Sequence, residues 1–372
     1  MLSFCCFRRS TIKTIGFEDS SCVIGAWYVQ AMQTPLTSVE ICAGAGGQAL
    51  GLEAAGFIHR AVVELDGHAV NTLRANRPAW NIVHGDVLEF DISPFVDDLD
   101  LLAGGVPCPP FSIAGKQLGQ DDERDLFPRA LELTAQSRPK ALMLENVRGL
   151  AQPRFARYRN ELVAELEDLG YRTFWEVVTA ADFGVPQLRP RFVLVALREP
   201  YADHFAWPEP LDTRVTVGEA LHSLMAENGW PGADAWAKRA NDIGPTLVGG
   251  SKKHGGPDVG PSRAREGWKR LGVRGTSIAH EAPGPDFPVG NGAEMPRLTV
   301  RMGAVIQGFP SEWKWEGGKT AAWKQVGNAF PPPVAQAIGD RIVAALRQDP
   351  LNGMVPAEPV VPEMSLLEGV GL

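Results

Sequence analysis

Residues 37–56 leave the chain few folds to choose from. Seven strand-forming residues, 37–43, run into the turn Gly44-Ala45-Gly46-Gly47, and a helix-forming stretch follows that closes at Gly56. Strand, glycine turn and helix in that order open a nucleotide-binding βαβ fold, because glycines accept positive φ and let a ligand come close to the backbone. The turn lacks the full G-x-G-x-x-G spacing, so a dinucleotide is not specified. On this turn alone, a nicotinamide-dependent dehydrogenase stays open.

The next strands narrow the ligand. Residues 61–66 form a second strand ending in Glu64-Leu65-Asp66, about 20 residues after the glycines, where a carboxylate holds ribose hydroxyls. A helix over 68–76 leads to a third strand, 82–87, whose Asp86 can accept a hydrogen bond from an adenine amino group. Two strand-end acids behind one glycine turn suit an adenosine. A fourth strand over 97–103 ends on Gly104-Gly105 and delivers Val106-Pro107-Cys108-Pro109-Pro110-Phe111-Ser112. Its cysteine, stiffened between prolines, belongs at the carboxyl edge of the sheet, where open α/β sheets bind ligands. For that cysteine alone, burial in a proline-rich turn is the plainer reading. Residues 113–127 are polar and glycine-punctuated, the composition of a closing lid or of an ordinary surface loop. After a helix over 128–137, a fifth strand over 140–147 again ends in an acid, in Glu145-Asn146-Val147. An amphipathic helix over 158–169 and strands over 173–179 and 191–197 follow, with Gln187-Leu188-Arg189-Pro190-Arg191 between the strands.

Composition excludes several classes. No apolar run in the 372 residues approaches the ~18 needed to span a bilayer, so no membrane association is expected. Five cysteines, an odd number without CxxC spacing, indicate neither a disulfide framework nor a zinc site, and fit a reducing cytoplasm. A net charge of −8 argues against a wholly basic nucleic-acid coat. Locally the balance reverses, with nine Lys or Arg against three acids over residues 238–274. There, Lys252 and Lys253 in a glycine-rich stretch suit phosphates, the alternative being a solvated loop.

Changes of rhythm divide the chain. Residues 1–34 have no periodicity and read as a loose extension, with Met32 as an alternative start and Cys5-Cys6 beside arginines as a lipidation option. Residues 35–198 carry the βα alternation, and 199–296, rich in Pro, Gly and Trp, form a separate small domain. Residues 297–348 return to a globular pattern, with helices over 301–307 and up to 346. The second of these aligns Val334, Ile338, Ile342 and Leu346 on one face, which is expected to cover the N-terminal sheet. The tail 349–372, with four prolines and no bases, reads as disordered.

In order, Ala43-Gly44-Ala45-Gly46-Gly47, Glu64, Gly85-Asp86, the segment 105–112, Glu145-Asn146-Val147, Gln187-Leu188-Arg189-Pro190-Arg191, Arg297-Leu298-Thr299-Val300-Arg301 and Gln325-Val326-Gly327-Asn328 resemble the cytosine-5 DNA methyltransferase family. The likeness runs from residue 38 to about 346. It implies a doubly wound α/β sheet of the S-adenosylmethionine-dependent methyltransferase kind, with a small, loop-rich target-recognition domain inserted over 199–296. By this resemblance Cys108 adds to carbon 6 of cytosine, Glu145 contacts N3 and the exocyclic amine, and Asn146 braces the loop of Cys108. Arg191 would bind O2, and Arg189 would hold the target-strand backbone. S-adenosyl-L-methionine would lie with its methionine end on Ala43, Gly44, Gly46 and Gly47, its ribose at Glu64 and its adenine at Asp86. Leu65, Val87 and Pro107 would flank it, and Asn328 and Ala329 would close the pocket. Ser112, Lys116, Gln117, Arg124, Lys252 and Lys253 would touch the DNA. The implied partner is double-stranded DNA, with or without a companion restriction endonuclease, and a monomer is expected. A related enzyme acting on tRNA and a catalytically dead DNA-binding module are the other readings. One departure is local: the family begins its glycine motif Asp-Leu-Phe, whereas this chain has Glu40-Ile41-Cys42, which removes an aromatic contact to adenine.

Overall fold

The computed structural model describes residues 34–107, 125–249, 257–290 and 292–362. Seven strands form one sheet in the order β3-β2-β1-β4-β5-β7-β6. They are β1 (Leu36–Ile41), β2 (Phe57–Glu64), β3 (Ile82–His84), β4 (Leu101–Gly104), β5 (Ala141–Val147), β6 (Tyr171–Thr179) and β7 (Pro190–Arg198). β1 to β5 pair in parallel, and their near-continuous apolar sequences are what a sheet covered on both faces requires. Helices α1 (Gly47–Ala54) and α2 (Gly67–Asn76) carry the chain outward to β3, and α3 (Phe127–Ser137) carries it from β4 to β5. The winding direction therefore reverses between β1 and β4, and a cleft opens there at the strands' carboxyl ends.

β7 runs antiparallel to both neighbours, β5 and β6, and sequence alone did not state its direction. The consequence for the site is direct. An antiparallel strand starts where its neighbours end, so Val147 pairs with Arg191 and Glu145 with Val193. The first residues of β7 thus lie at the carboxyl edge.

Alternating side chains of the buried strands feed two cores. On one face Leu101, Ala103, Met143, Val193 and Val195 pack with Val334, Ile338, Ile342 and Leu346 of the last helix, α10 (Pro332–Leu346). On the other, Leu102, Leu142, Leu144, Leu194 and Ala196 pack with α3 and with α4 (Ala156–Asp168). A third core joins α5 (Val217–Ala226), α6 (Ala233–Arg239) and α7 (Ser262–Arg270) to α8 (Val300–Ile306) and α9 (Lys319–Asn328). It centres on the fully buried Trp268 and Trp323. Thr216 opens α5 with a capping box closed by Glu219, and Asp66 caps α2 through the amides of His68 and Ala69.

The expected disorder of the tail does not hold over 349–362. The Val360 amide donates to the Thr173 carbonyl at 2.7 Å, and the Ala357 amide to that of Phe205. β6 is the sheet's edge, so a segment bonded to it shields an otherwise open row of backbone groups. Among the described residues no helix is long and apolar enough to cross a membrane.

Candidate active site

A cavity of about 660 Å³ occupies the cleft at the reversal point. Its floor is the glycine turn after β1. Gly46 holds φ +87°, and a Cβ there would stand 2.6 Å from Leu73, so only glycine fits. Ala43 and Gly44 line the cavity, while Gly46 and Gly47 face protein and let the turn sit against Leu73 and Phe330. Glu64, at the end of β2, accepts from the Gly44 amide at 2.6 Å and from the Asp66 amide at 2.7 Å. Its carboxylate is thereby fixed in the wall, beside Leu65. Asp86 and Val87 form the next part of that wall, and Asp86 accepts from the Leu88 amide at 3.0 Å. Pro107, Asn328 and Ala329 complete the ring around it.

The carboxyl end of β5 adds the reactive-looking groups. Arg191 Nε lies 2.7 Å from Glu145 Oε1, and the two side chains are only 12% and 11% exposed. Burial raises the Glu145 carboxyl above its ordinary value, against the pull of Arg191 and Arg189 toward the charged form. The Asn146 side chain donates to the Val106 carbonyl at 2.9 Å and accepts from the Val147 amide at 2.8 Å. It ties β5 to the segment two residues ahead of Cys108. Cys108 itself lies outside the described residues, as do Ser112, Lys116, Gln117, Arg124, Lys252 and Lys253.

Arg189 departs from expectation. It is fully buried, and its guanidinium donates to the carbonyls of Leu247 at 2.9 Å, Gly327 at 2.9 Å and Ala329 at 2.7 Å. A side chain so enclosed has no face left for a DNA backbone. Its φ of +27° is unusual for a non-glycine residue, a local strain held by these bonds. Gln187 works alongside: its side chain donates to the Ile306 carbonyl and to Gln307, and accepts from the Leu247 amide. The Gln-x-Arg-x-Arg segment therefore stitches residues 244–249 to α8 and α9, and only Arg191, two residues on, points into the cavity wall.

A family model, C-5 cytosine-specific DNA methylase, matches residues 36–344. The chain belongs to the C-5 cytosine-specific DNA methylases. It is similar to the type II methyltransferase M.NaeI of Lentzea aerocolonigenes, at 58% identity over 319 residues, 84% of this chain and 76% of that relative. To M.NgoMIV of Neisseria gonorrhoeae it is 51% identical over 322 residues, 84% of this chain and 99% of the relative. Among solved structures, a prophage-encoded DNA modification methyltransferase of E. coli superposes with a TM-score of 0.59 at 23% identity, covering 84% of this chain and 99% of that one. A Spodoptera frugiperda DNMT2 does so with 0.58 at 14%, covering 83% and 99%. These two likenesses speak to the fold. As a C-5 cytosine DNA methylase the chain is a DNA (cytosine-5-)-methyltransferase of the type II restriction-modification kind.

S-adenosyl-L-methionine is the methyl donor of the methylase family, and the cavity fits it. A volume of about 660 Å³ lies in the range of small-molecule sites. The Gly44 position leaves open space where a Cβ would stand. Beneath the turn, Glu40 and Gln48 are buried and border the cavity; among the described residues the Gln48 amide has no hydrogen-bond partner, and the Glu40 carboxyl has only the Ala49 amide beside it. Burial pushes the Glu40 carboxyl well up. Such groups favour a ligand that brings polar atoms of its own. Cys42, where the family carries an aromatic residue, also borders the cavity. Burial pushes its thiol up to about 12, so it stays protonated and is no second nucleophile.

Several contributors escaped the sequence reading. Glu40 and Gln48 flank the glycine turn, each beside apolar neighbours in its strand or helix. Leu247, Val248 and Gly249 also line the cavity, yet they come from the 199–296 region, where no local pattern announces them. Lys324, one residue before the Gln325 motif, reaches Asp66 at 3.2 Å across the cavity mouth.

Proposed function

We propose that this chain methylates carbon 5 of one cytosine within a specific duplex DNA sequence, after that base leaves the helix and enters the cavity. One observation carries the reading. Glu145, Asn146 and Arg191 converge on residues 105–107, the segment leading directly into Cys108, in the wall of the cavity that holds Glu64 and Asp86.

Carbon 5 of cytosine is a poor nucleophile. The Cys108 thiolate adds to carbon 6, forming the S–C6 bond and moving an electron pair into the ring toward carbon 5 and N3. A free thiol of pKa ~8.5 is only a few per cent thiolate at neutral pH, so its surroundings must favour the anion. Glu145 donates a proton to N3, which requires a protonated carboxyl, and burial acts in that direction. Arg191 meets O2, while Asn146 holds the Cys108 segment through the Val106 carbonyl. S-adenosyl-L-methionine, held by Gly44, Glu64 and Asp86, supplies the methyl group that carbon 5 takes. Loss of the carbon 5 proton to a base then re-forms the carbon 5–carbon 6 double bond as the S–C6 bond breaks and the sulfur leaves as thiolate, while the N3 proton returns to Glu145.

Duplex DNA is favoured over tRNA by the type II methyltransferases that are 58% and 51% identical. Residues 199–296 are assigned to target recognition, the protein to the cytoplasm as a monomer, and a companion endonuclease is compatible with the type II relatives. The test is bisulfite sequencing of DNA from a host expressing the protein, beside methyl transfer to duplex DNA and to tRNA in vitro. One protected cytosine per recognition site is expected, and Cys108→Ala should abolish it. A Cys108→Ala protein of undiminished activity removes the mechanism; transfer to tRNA alone removes the substrate.

A further inference from the structure

The Asp86 turn is poorly held by the sheet. β3 has three residues, a single neighbouring strand and no fully buried position. The short helical turn that follows, Val87–Glu89, leaves Leu88 about half exposed. What grips it comes from the other half of the fold. Arg129 on α3 donates from Nε to the Val87 carbonyl at 3.1 Å and from Nη2 to the Phe90 carbonyl at 2.9 Å. Its third nitrogen is oriented by Glu132 at 2.9 Å, and the arginine side chain is only 15% exposed. A planar guanidinium with fixed donors locks both carbonyls at one spacing, which a lysine cannot do. Asp86 caps this turn at its start, so the place of its carboxylate follows the place of the turn.

We propose that Arg129 is a positioning residue for adenine recognition: it clamps the 87–90 turn so that Asp86 presents a fixed acceptor to the adenine amino group. The inference rests on the reading of Asp86 as the adenine partner. A clamped acceptor discriminates. An amino group facing it is bound, and a carbonyl in the same place is repelled because the carboxylate cannot retreat. A loosened turn weakens the first and relieves the second.

The experiment measures Kd for S-adenosylhomocysteine and for S-inosylhomocysteine, in which a carbonyl replaces the amino group, with melting temperatures of each protein. The wild type should prefer the adenosyl compound. In Arg129→Met that compound should bind about tenfold more weakly, equivalent to ~1.4 kcal/mol, with the inosyl compound little changed, so that the preference collapses. Arg129→Lys, able to reach one carbonyl, should fall between, and it reads the same ratio if Arg129→Met fails to fold. Equal weakening of both compounds, with the ratio kept, makes Arg129 merely structural and overturns the inference alone. A wild type that does not distinguish the two overturns the adenine reading of Asp86 and the inference with it.

Discussion

Glu145 and Arg191 form a pair whose burial and charge pull in opposite directions. Burial favours the neutral carboxyl, and the guanidinium 2.7 Å away favours the anion. Arg189, two residues earlier, feels both burial and the charges of Glu145 and Arg191, but its hydrogen bonds all go to backbone carbonyls. Its role is to hold three segments together, and that separates two expectations. Arg189→Met leaves the carbonyls of Leu247 and Gly327 buried without a donor and that of Ala329 with only the long bond from Gln307, at a cost of about 3–5 kcal/mol. A drop in melting temperature should follow, while the salt dependence of DNA binding by the folded protein stays unchanged. A phosphate contact would instead reduce the slope of log K against log salt by about one with little change in stability. The motif's identity was plain in the sequence, and the division of labour within it was not. Residues i and i+2 on an extended segment share a face, but Arg189 stands one residue before β7 with φ +27°, and that break in the extended backbone turns it into the protein while Arg191 lines the cavity.

At the scale of elements, the parallel half was legible because each strand ends in glycines or acids and is followed by a helix-forming stretch. The direction of β7 was not, since nine mostly buried residues read alike in either orientation. Nor was the closeness of α9 to residues 248–249. A Cβ on Gly327 would stand 2.2 Å from the Gly249 amide nitrogen and from the Val248 carbonyl carbon, and backbone cannot step aside as a side chain can. Gly327→Ala should therefore push residues 248–249 out of the cavity wall that they share with Asn328. We expect weakened S-adenosylhomocysteine binding in calorimetry and a loss of about 1–3 kcal/mol in denaturant unfolding, as for overpacking elsewhere. Unchanged affinity would mean that the wall tolerates the displacement.

For the whole molecule, the last helix covers the sheet laid down first, and the Lys324 and Gln325 side chains reach Asp66 and Thr72 near its start. Stability should then respond to pH as one cooperative quantity, and two buried groups set opposite slopes. His59 is enclosed under α1: Nε2 faces the Ala49 carbonyl at 2.9 Å and so carries its proton, and Nδ1 faces the Ser38 hydroxyl at 2.8 Å. Burial lowers its pKa below 6.5, so as pH falls through that value the unfolded chain takes up the proton first and the native state loses ground. Glu40 is the reverse case. Burial raises its carboxyl well above 4.5, so the native state keeps a proton that the unfolded chain gives up, and stability is lost as pH rises from 4.5 toward the native value. Each group contributes at most about 1.4 kcal/mol per pH unit within its window. Urea unfolding across pH 4 to 8 should show His59→Gln reducing the loss of stability as pH falls below 6.5 and Glu40→Gln reducing the loss as pH rises from 4.5. A His59→Gln protein that keeps the full acid slope would assign that slope to other groups.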